Sequence, residues 1–159
     1  MDASALVALA VNEVAVTVLQ SVEVDAPLFA VWQKFCDVPA WPQWFPALTA
    51  VKRDSTTPFV IGEAFTLSLA FRGHTSDVKV KVVAVSATTV RWIGNSFGVT
   101  GDHAFRAESI DPTRTRFTSE EHFSGFPVRL LPRSIFRELE LEAKAGLERF
   151  RALLARSGG

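Results

Sequence analysis

The chain reads as an α+β protein in which a curved antiparallel sheet wraps one long C-terminal helix. Three observations predict this. An Asp25-Ala26-Pro27 helix start follows a first alternating strand. The long middle alternates apolar and polar residues, strand after strand, and an amphipathic stretch from about Pro132 to Arg156 closes the chain.

From Glu13 onward, Val14, Val16, Val18, Val22 and Val24 share one side while Thr17, Ser21 and Glu23 lie opposite. That two-residue period is a strand with one buried face. Asp25 is placed to cap the next helix, with Pro27 in the first turn, where a missing N–H costs nothing. Phe29, Trp32, Phe35 and Cys36 recur at helical spacing. Pro39, Pro42 and Pro46 then confine the Trp41 and Trp44 segment to short helical or turn pieces.

In the middle, Phe65, Leu67, Leu69 and Phe71 alternate with Thr66, Ser68, Ala70 and Arg72. Arg72-Gly73-His74-Thr75 reads as a turn, after which Val78, Val80 and Val82 return against Asp77, Lys79 and Lys81. Val90 and Trp92 mark the next strand. Gly94, Gly98 and Gly101 read as a longer loop at a cavity mouth, since glycine accepts positive φ. Two further strands, about Gly101 to Ile110 and Thr115 to Ser124, flank a turn at Asp111-Pro112-Thr113-Arg114.

On the last helix, Phe136, Leu139, Ala143, Leu147, Phe150 and Leu154 form one stripe. Glu138, Glu140, Glu142, Lys144 and Arg151 read as solvated charge, and Pro132 and Gly158 mark the start and stop. No repeat, low-complexity tract or linker divides the chain, so residues 1–159 read as one domain. Residues 1–11 read as a flexible tail or a short extra element.

Composition sets the function classes. Seventeen basic residues balance seventeen acidic ones, which argues against a dominant field for nucleic acid or an anionic membrane. Ala3 to Val11 is apolar, but Asp2 stands where a signal peptide carries positive charge. Asn12 and Glu13 end that run well short of the roughly 20 residues that span a bilayer. The lone Cys36 rules out an intramolecular disulfide and fits a reducing compartment, so a cytoplasmic protein without stable membrane insertion is expected. Thirteen Phe and four Trp stand against no Tyr: bulk and flat faces with few polar handles, suited to a core or to a wall touching apolar matter.

The last hairpin carries the sharpest chemical reading. On its second strand Phe117, Ser119, Glu121 and Phe123 share one face, and the two Phe point that face inward. On the preceding strand His103, Phe105 and Ala107 share a face. Antiparallel neighbours must share a face, so His103 stands opposite Glu121 or one diagonal step away. An inward Glu–His pair reads three ways: two groups that satisfy each other, a contact for the polar end of an apolar ligand, or a proton-transferring pair. His74 falls in a turn and His122 on the outer face, and neither the His spacing nor one Cys suits a metal, so no metal and no cofactor are expected. Ser124-Gly125 lacks a nucleophile-elbow frame, and the glycines near Asn95 make no phosphate loop. Arg129, Arg133 and Arg137, four apart, would line one helical side if the helix began early; a solvated face paired with Glu138 and Glu140 is the plainer reading.

These features together resemble the START-like, or SRPBCC, superfamily with its helix-grip fold. The chain is most similar to the polyketide cyclase/dehydrase-type branch of small bacterial proteins. The resemblance runs from about Val18 to Leu154. It is carried by Asp25-Ala26-Pro27 with Phe29 and Trp32, by Asp37, Trp41, Trp44 and Pro46, by His103-x-Phe105, by Glu121-x-Phe123-x-Gly125 and by the terminal helix. It implies a cavity between sheet and helix for lipids, sterols, polyketides, hormones or quinones. No catalytic set of a characterised cyclase maps residue by residue onto this chain, and the missing Tyr removes one common means of orienting a ligand.

The expected ligand is therefore a small hydrophobic or amphipathic molecule. Its wall would come from Trp44, Phe65, Leu67, Leu69, Phe71, Val78, Val80, Trp92, Phe105, Phe123, Phe136, Leu139 and Ala143, with His103, Ser119 and Glu121 as polar contacts. One alternative is a cyclase or dehydratase using Glu121 and His103 as acid and base. The other is a co-chaperone-like interaction module with a collapsed interior. A monomer or weak homodimer is expected.

Overall fold

Valine alternation carries the first strand, β1 (Val16–Val24), whose Val18, Val22 and Val24 are buried. The computed structural model describes residues 15–157, so Val14, the 1–11 tail and Gly158 lie outside the described residues. Helix α1 (Leu28–Cys36) follows β1, and its cap corrects the sequence expectation. Pro27 itself occupies the N-cap in an extended conformation, and no side chain, Asp25 included, bonds the first turn. The Asp-Ala-Pro corner is tied to the sheet instead: Thr115 Oγ1 donates to the Ala26 carbonyl at 2.8 Å. Helix α1 buries Val31 and Phe35, whereas Phe29 is 77 % exposed, on the far side of the helix.

A 3-10 segment over Val38–Gln43 continues the chain, and the Trp41 indole N–H donates to the Phe35 carbonyl at 2.6 Å. Strand β2 (Leu48–Lys52) comes next, an element whose five residues are too few to show a period. The meander β3 (Ala64–Phe71), β4 (His74–Ser86), β5 (Thr89–Ser96), β6 (Val99–Asp111) and β7 (Arg114–Ser124) completes the sheet. All neighbours are antiparallel, in the order β1-β7-β6-β5-β4-β3-β2. Register shifts at 48/50, 82/84 and 109/111 add local bends that help the sheet curl.

Two turns are tighter than the sequence suggests. Only Arg72 and Gly73 connect β3 to β4, both at positive φ, and His74 and Thr75 already belong to β4. Likewise Phe97 and Gly98 form the whole β5–β6 connection, at φ 51° and 79°. Such two-residue turns match the twist of the strands they join. The expected 94–101 loop therefore does not exist: Gly94 and Gly101 sit inside strands and face each other across the ladder.

Helix α2 (Arg133–Ser157) packs chiefly against β1 and closes the concave side, burying Gly146, Leu147 and Phe150. Gly146 permits that approach, since a Cβ there would stand 2.9 Å from Pro46 Cδ and 3.0 Å from the Trp44 carbonyl oxygen. Arg129 lies in a separate 3-10 segment over Phe126–Leu130, so it does not share a helical side with Arg133 and Arg137. Glu138 pairs with Arg72 at the end of β3. A curved seven-stranded sheet gripping a long helix is the helix-grip fold.

Candidate functional site

One half of the space between sheet and helix is filled with rings. Phe35 lies 5.2 Å from Trp41, 5.0 Å from Phe105 and 5.5 Å from Phe117, centroid to centroid, and Phe117 stacks on Phe150 at 4.4 Å. The other half is open. It forms a cavity of about 290 Å³, walled by β3 to β7 with Val18 of β1, the 44–47 segment and the middle of α2.

Trp44, Leu67, Leu69, Phe71, Val78, Val80, Trp92, His103, Phe105, Ser119, Glu121, Phe123, Leu139 and Ala143 all lie on this wall. Two expected wall residues do not. Phe65 is buried behind it, against Trp41 and Trp92, because Phe65 belongs to the filled end of β3. Phe136 packs its ring on Phe123, 6.3 Å away, one turn of α2 short of the opening. Trp41 also misses the cavity; the residues after it, Phe45 to Ala47, line it instead.

The polar face is set by register. β6 and β7 pair His103 with Glu121 and Phe105 with Ser119, and β5 adds Trp92 opposite His103. His103 Nε2 lies 2.8 Å from Ser119 Oγ, a hydrogen bond, while Nδ1 stands 3.6 Å from Glu121 Oε2, too far for one. The imidazole is wedged between aromatic rings, Phe105 at 4.3 Å, Trp92 at 5.4 Å and Phe45 at 6.0 Å. That burial holds its pKa down to about 3, against the weaker opposing pull of Asp102, so the ring is neutral at pH 7.

Glu121 has the opposite shift from the same cause. Burial pushes its carboxyl up to about 7. Its side chain is 30 % accessible, yet that surface opens into the apolar cavity, which solvates a charge poorly. Near neutral pH the site thus holds a neutral histidine beside a half-ionised carboxyl, not an ion pair. Outside the cavity, on the convex face, Arg91–Asp102 and Arg106–Glu120 pair across strands, and His122 joins Glu120 at 3.0 Å and Thr17 at 2.7 Å.

Three wall features go beyond the sequence reading. Glu142, expected on a solvated face, lines the cavity from α2, and burial followed by the nearby Glu138 raises its pKa. The signal was there: Leu139, Glu142, Ala143, Gly146 and Leu147 follow the i, i+3, i+4, i+7, i+8 spacing of one helical face. Gly94 and Gly101 face each other under the opening, and here glycine serves space rather than φ. A Cβ on Gly94 would stand 2.9 Å from Val80 Cγ1, and one on Gly101 would stand 3.3 Å from Glu121 Oε1. Phe45, the third, flanks His103 and was hidden by the prolines around it.

Fold and site define a helix-grip protein with a cavity between its sheet and its long helix. Residues 15–155 match the family described as polyketide cyclase / dehydrase and lipid transport, and the chain belongs to that family. No curated protein matches the chain. Among solved structures it is similar to the Zhui aromatase/cyclase from Streptomyces sp. R1128, at 16 % identity and TM-score 0.76, over 92 % of this chain and 97 % of that one. It is also similar to a START superfamily protein from Mycobacterium smegmatis, at 18 % identity and TM-score 0.63, over 88 % and 95 % of the two chains. Norcoclaurine synthase from Thalictrum flavum, in complex with dopamine and hydroxybenzaldehyde, matches at 12 % identity and TM-score 0.63, over 92 % and 90 %. At these identities the shared property is the fold. No helix among the described residues is long and apolar enough to cross a membrane.

Proposed function

We propose that this protein binds one small, largely apolar molecule in the cavity between the sheet and α2. The observation that carries the reading is the cavity's make-up: about 290 Å³ walled mainly by Leu, Val, Phe and Trp, with a polar cluster at Glu121, His103 and Ser119 and separate polar groups at Glu142, Ser76 and Ser96. A packed interior would have spoken for the interaction module instead. Apolar walls supply affinity by removing ligand surface from water, and a few polar groups fix orientation. Membership of a family described by both cyclase/dehydrase and lipid transport supports the ligand and leaves binder and enzyme open. The lone Cys36 supports a reducing, cytoplasmic setting, and a monomer or weak homodimer is the assembly proposed.

An enzymatic reading has one observation in its favour. Glu121 carries a pKa near 7, faces the cavity and lacks a hydrogen bond to His103, which suits a carboxyl that gives or takes a ligand proton. Native mass spectrometry of freshly purified protein separates the readings. A co-purifying small molecule of unchanged mass supports the binder. Conversion of an added polyketide-like substrate that Glu121→Gln abolishes, with binding retained, supports the enzyme. A bare protein that takes up no apolar molecule overturns both.

A further inference from the structure

We propose that the cavity selects its ligand by charge, taking an apolar amine and rejecting carboxylates and phosphates. This inference rests on the ligand-binding reading above and adds the chemical class. Among the described residues the wall holds two carboxyls, Glu121 from β7 and Glu142 from α2, and no Lys or Arg. The segments outside the described residues, 1–14 and 158–159, contain no Lys or Arg either. Arg72, which follows the wall residue Phe71 at the end of β3, is already held by Glu138. Every other polar wall group is neutral: His103 is occupied by Ser119, Ser76 and Ser96 carry hydroxyls, and Trp44 offers one buried, unpaired indole N–H.

Physical chemistry then decides the sign. An anion entering this space loses its hydration and meets two acidic groups with no cation to replace the water. A protonated amine meets carboxyls that become acceptors of a charge-assisted hydrogen bond, and its arrival lowers the cost of ionising them. A niche exists at the sheet side. Gly101 withholds a Cβ that would stand 3.3 Å from Glu121 Oε1 and near no other group, so no side chain at that position crowds the carboxyl. His103 does not compete for that role, because its nearer nitrogen is 3.6 Å from the carboxyl.

The groups that face Glu121 and Glu142 are His103 on β6, Ser119 on β7 and Glu138 on α2, with Asp102 acting on His103 from the convex side. None of them supplies a positive charge near neutral pH. Amine binding should therefore strengthen as pH rises from about 6 to about 8, as Glu121, with its carboxyl held near 7, ionises while the amine stays protonated.

The test is calorimetric titration with a matched series: phenylbutylamine, phenylbutanol and phenylbutanoate. The expected order at about pH 8 is amine tightest, alcohol roughly tenfold weaker and carboxylate weakest. Glu121→Gln and Glu142→Gln should each shrink the amine-to-alcohol ratio, and the convex-face variant Glu120→Gln should leave that ratio in place. Thermal melts confirm that each variant folds. If the alcohol binds but the carboxylate binds as tightly as the amine, charge selection is wrong and the ligand-binding reading stands. If the ratio survives both cavity substitutions, the carboxyls are not the selector and the proposal fails. If none of the three binds, both readings fall together.

Discussion

The two halves of the interior share one sheet and one inward face, yet one is packed with rings and the other is hollow. Walking along the strands shows where the change occurs. On β5 the inward residues run Val90, Trp92, Gly94, Ser96; on β6, from the same end, Ala107, Phe105, His103, Gly101; on β7, Phe117, Ser119, Glu121, Phe123. Polarity rises at the rung where Trp92, His103 and Glu121 line up across three strands, and volume falls one rung further on, where Gly94 stands opposite Gly101. The cavity is thus written in residue size, not in backbone shape. A curled sheet permits a hollow, and glycine where a core would place a ring keeps it open.

The largest expected contrast follows from truncating one ring in the filled half. Trp41 is fully buried, packed on Phe35, Phe59 and Trp92, with its N–H bonded to Phe35. Trp41→Ala should cost about 3 to 5 kcal/mol in chemical denaturation, combining lost transfer energy with the cavity left behind. A loss near 1 kcal/mol would show that the filled half is loosely packed.

Next comes Glu121, which the hollow half carries at a cost. Its folded pKa of about 7 stands above the ordinary 4.5, so the folded state keeps a proton that the unfolded chain releases. Its contribution is therefore fully present below about pH 4.5 and lost as pH rises through 7. His103 runs the other way: its folded pKa of about 3 lies below 6.5, so stability falls as pH drops from 6.5 towards 3. In the native protein the two slopes oppose each other between about 4.5 and 6.5. Glu121→Gln removes one, so its stability should gain about 3 kcal/mol on the native protein between about pH 4.5 and pH 8. Denaturation midpoints at pH 5 and pH 8 read this difference; parallel behaviour of the two proteins would mean Glu121 is solvated as on a surface.

Filling the hollow should cost less. Gly94→Ala places a methyl 2.9 Å from Val80 Cγ1 and 3.0 Å from Val78 Cγ1, and the expected destabilisation is about 1 to 3 kcal/mol with weaker ligand uptake. The smallest effect belongs to Leu139→Ala, about 1 kcal/mol or less, because one side of that residue faces the opening and has no protein contacts to lose. Should Leu139→Ala match Trp41→Ala in a melting experiment, the halves do not differ in packing.

Period-two alternation made β1 and the β3–β7 meander legible, and parity alone brought His103 to Glu121's face. What escaped the sequence has physical causes. β2 is too short to show a period. Glycine has two uses, conformational freedom and small size, and in the sequence Gly94 and Gly101 look the same for either; only the register reveals that they face each other in the ladder. Asp25 looked like a cap because Asp so often is one, but the extended Pro27 occupies that position. Glu142 reads as solvated from its charge alone, while its helical spacing with Leu139, Ala143 and Gly146 puts it on the cavity face.

Methyl NMR during titration with phenylbutanol tests the hollow half directly, since Leu69, Val78, Val80, Leu139 and Ala143 ring the opening while Leu19 lies exposed on β1. Saturable shifts confined to the five cavity residues are the expected result. No saturable shift, or shifts confined to surface methyls such as Leu19, would contradict a cavity built to hold a ligand.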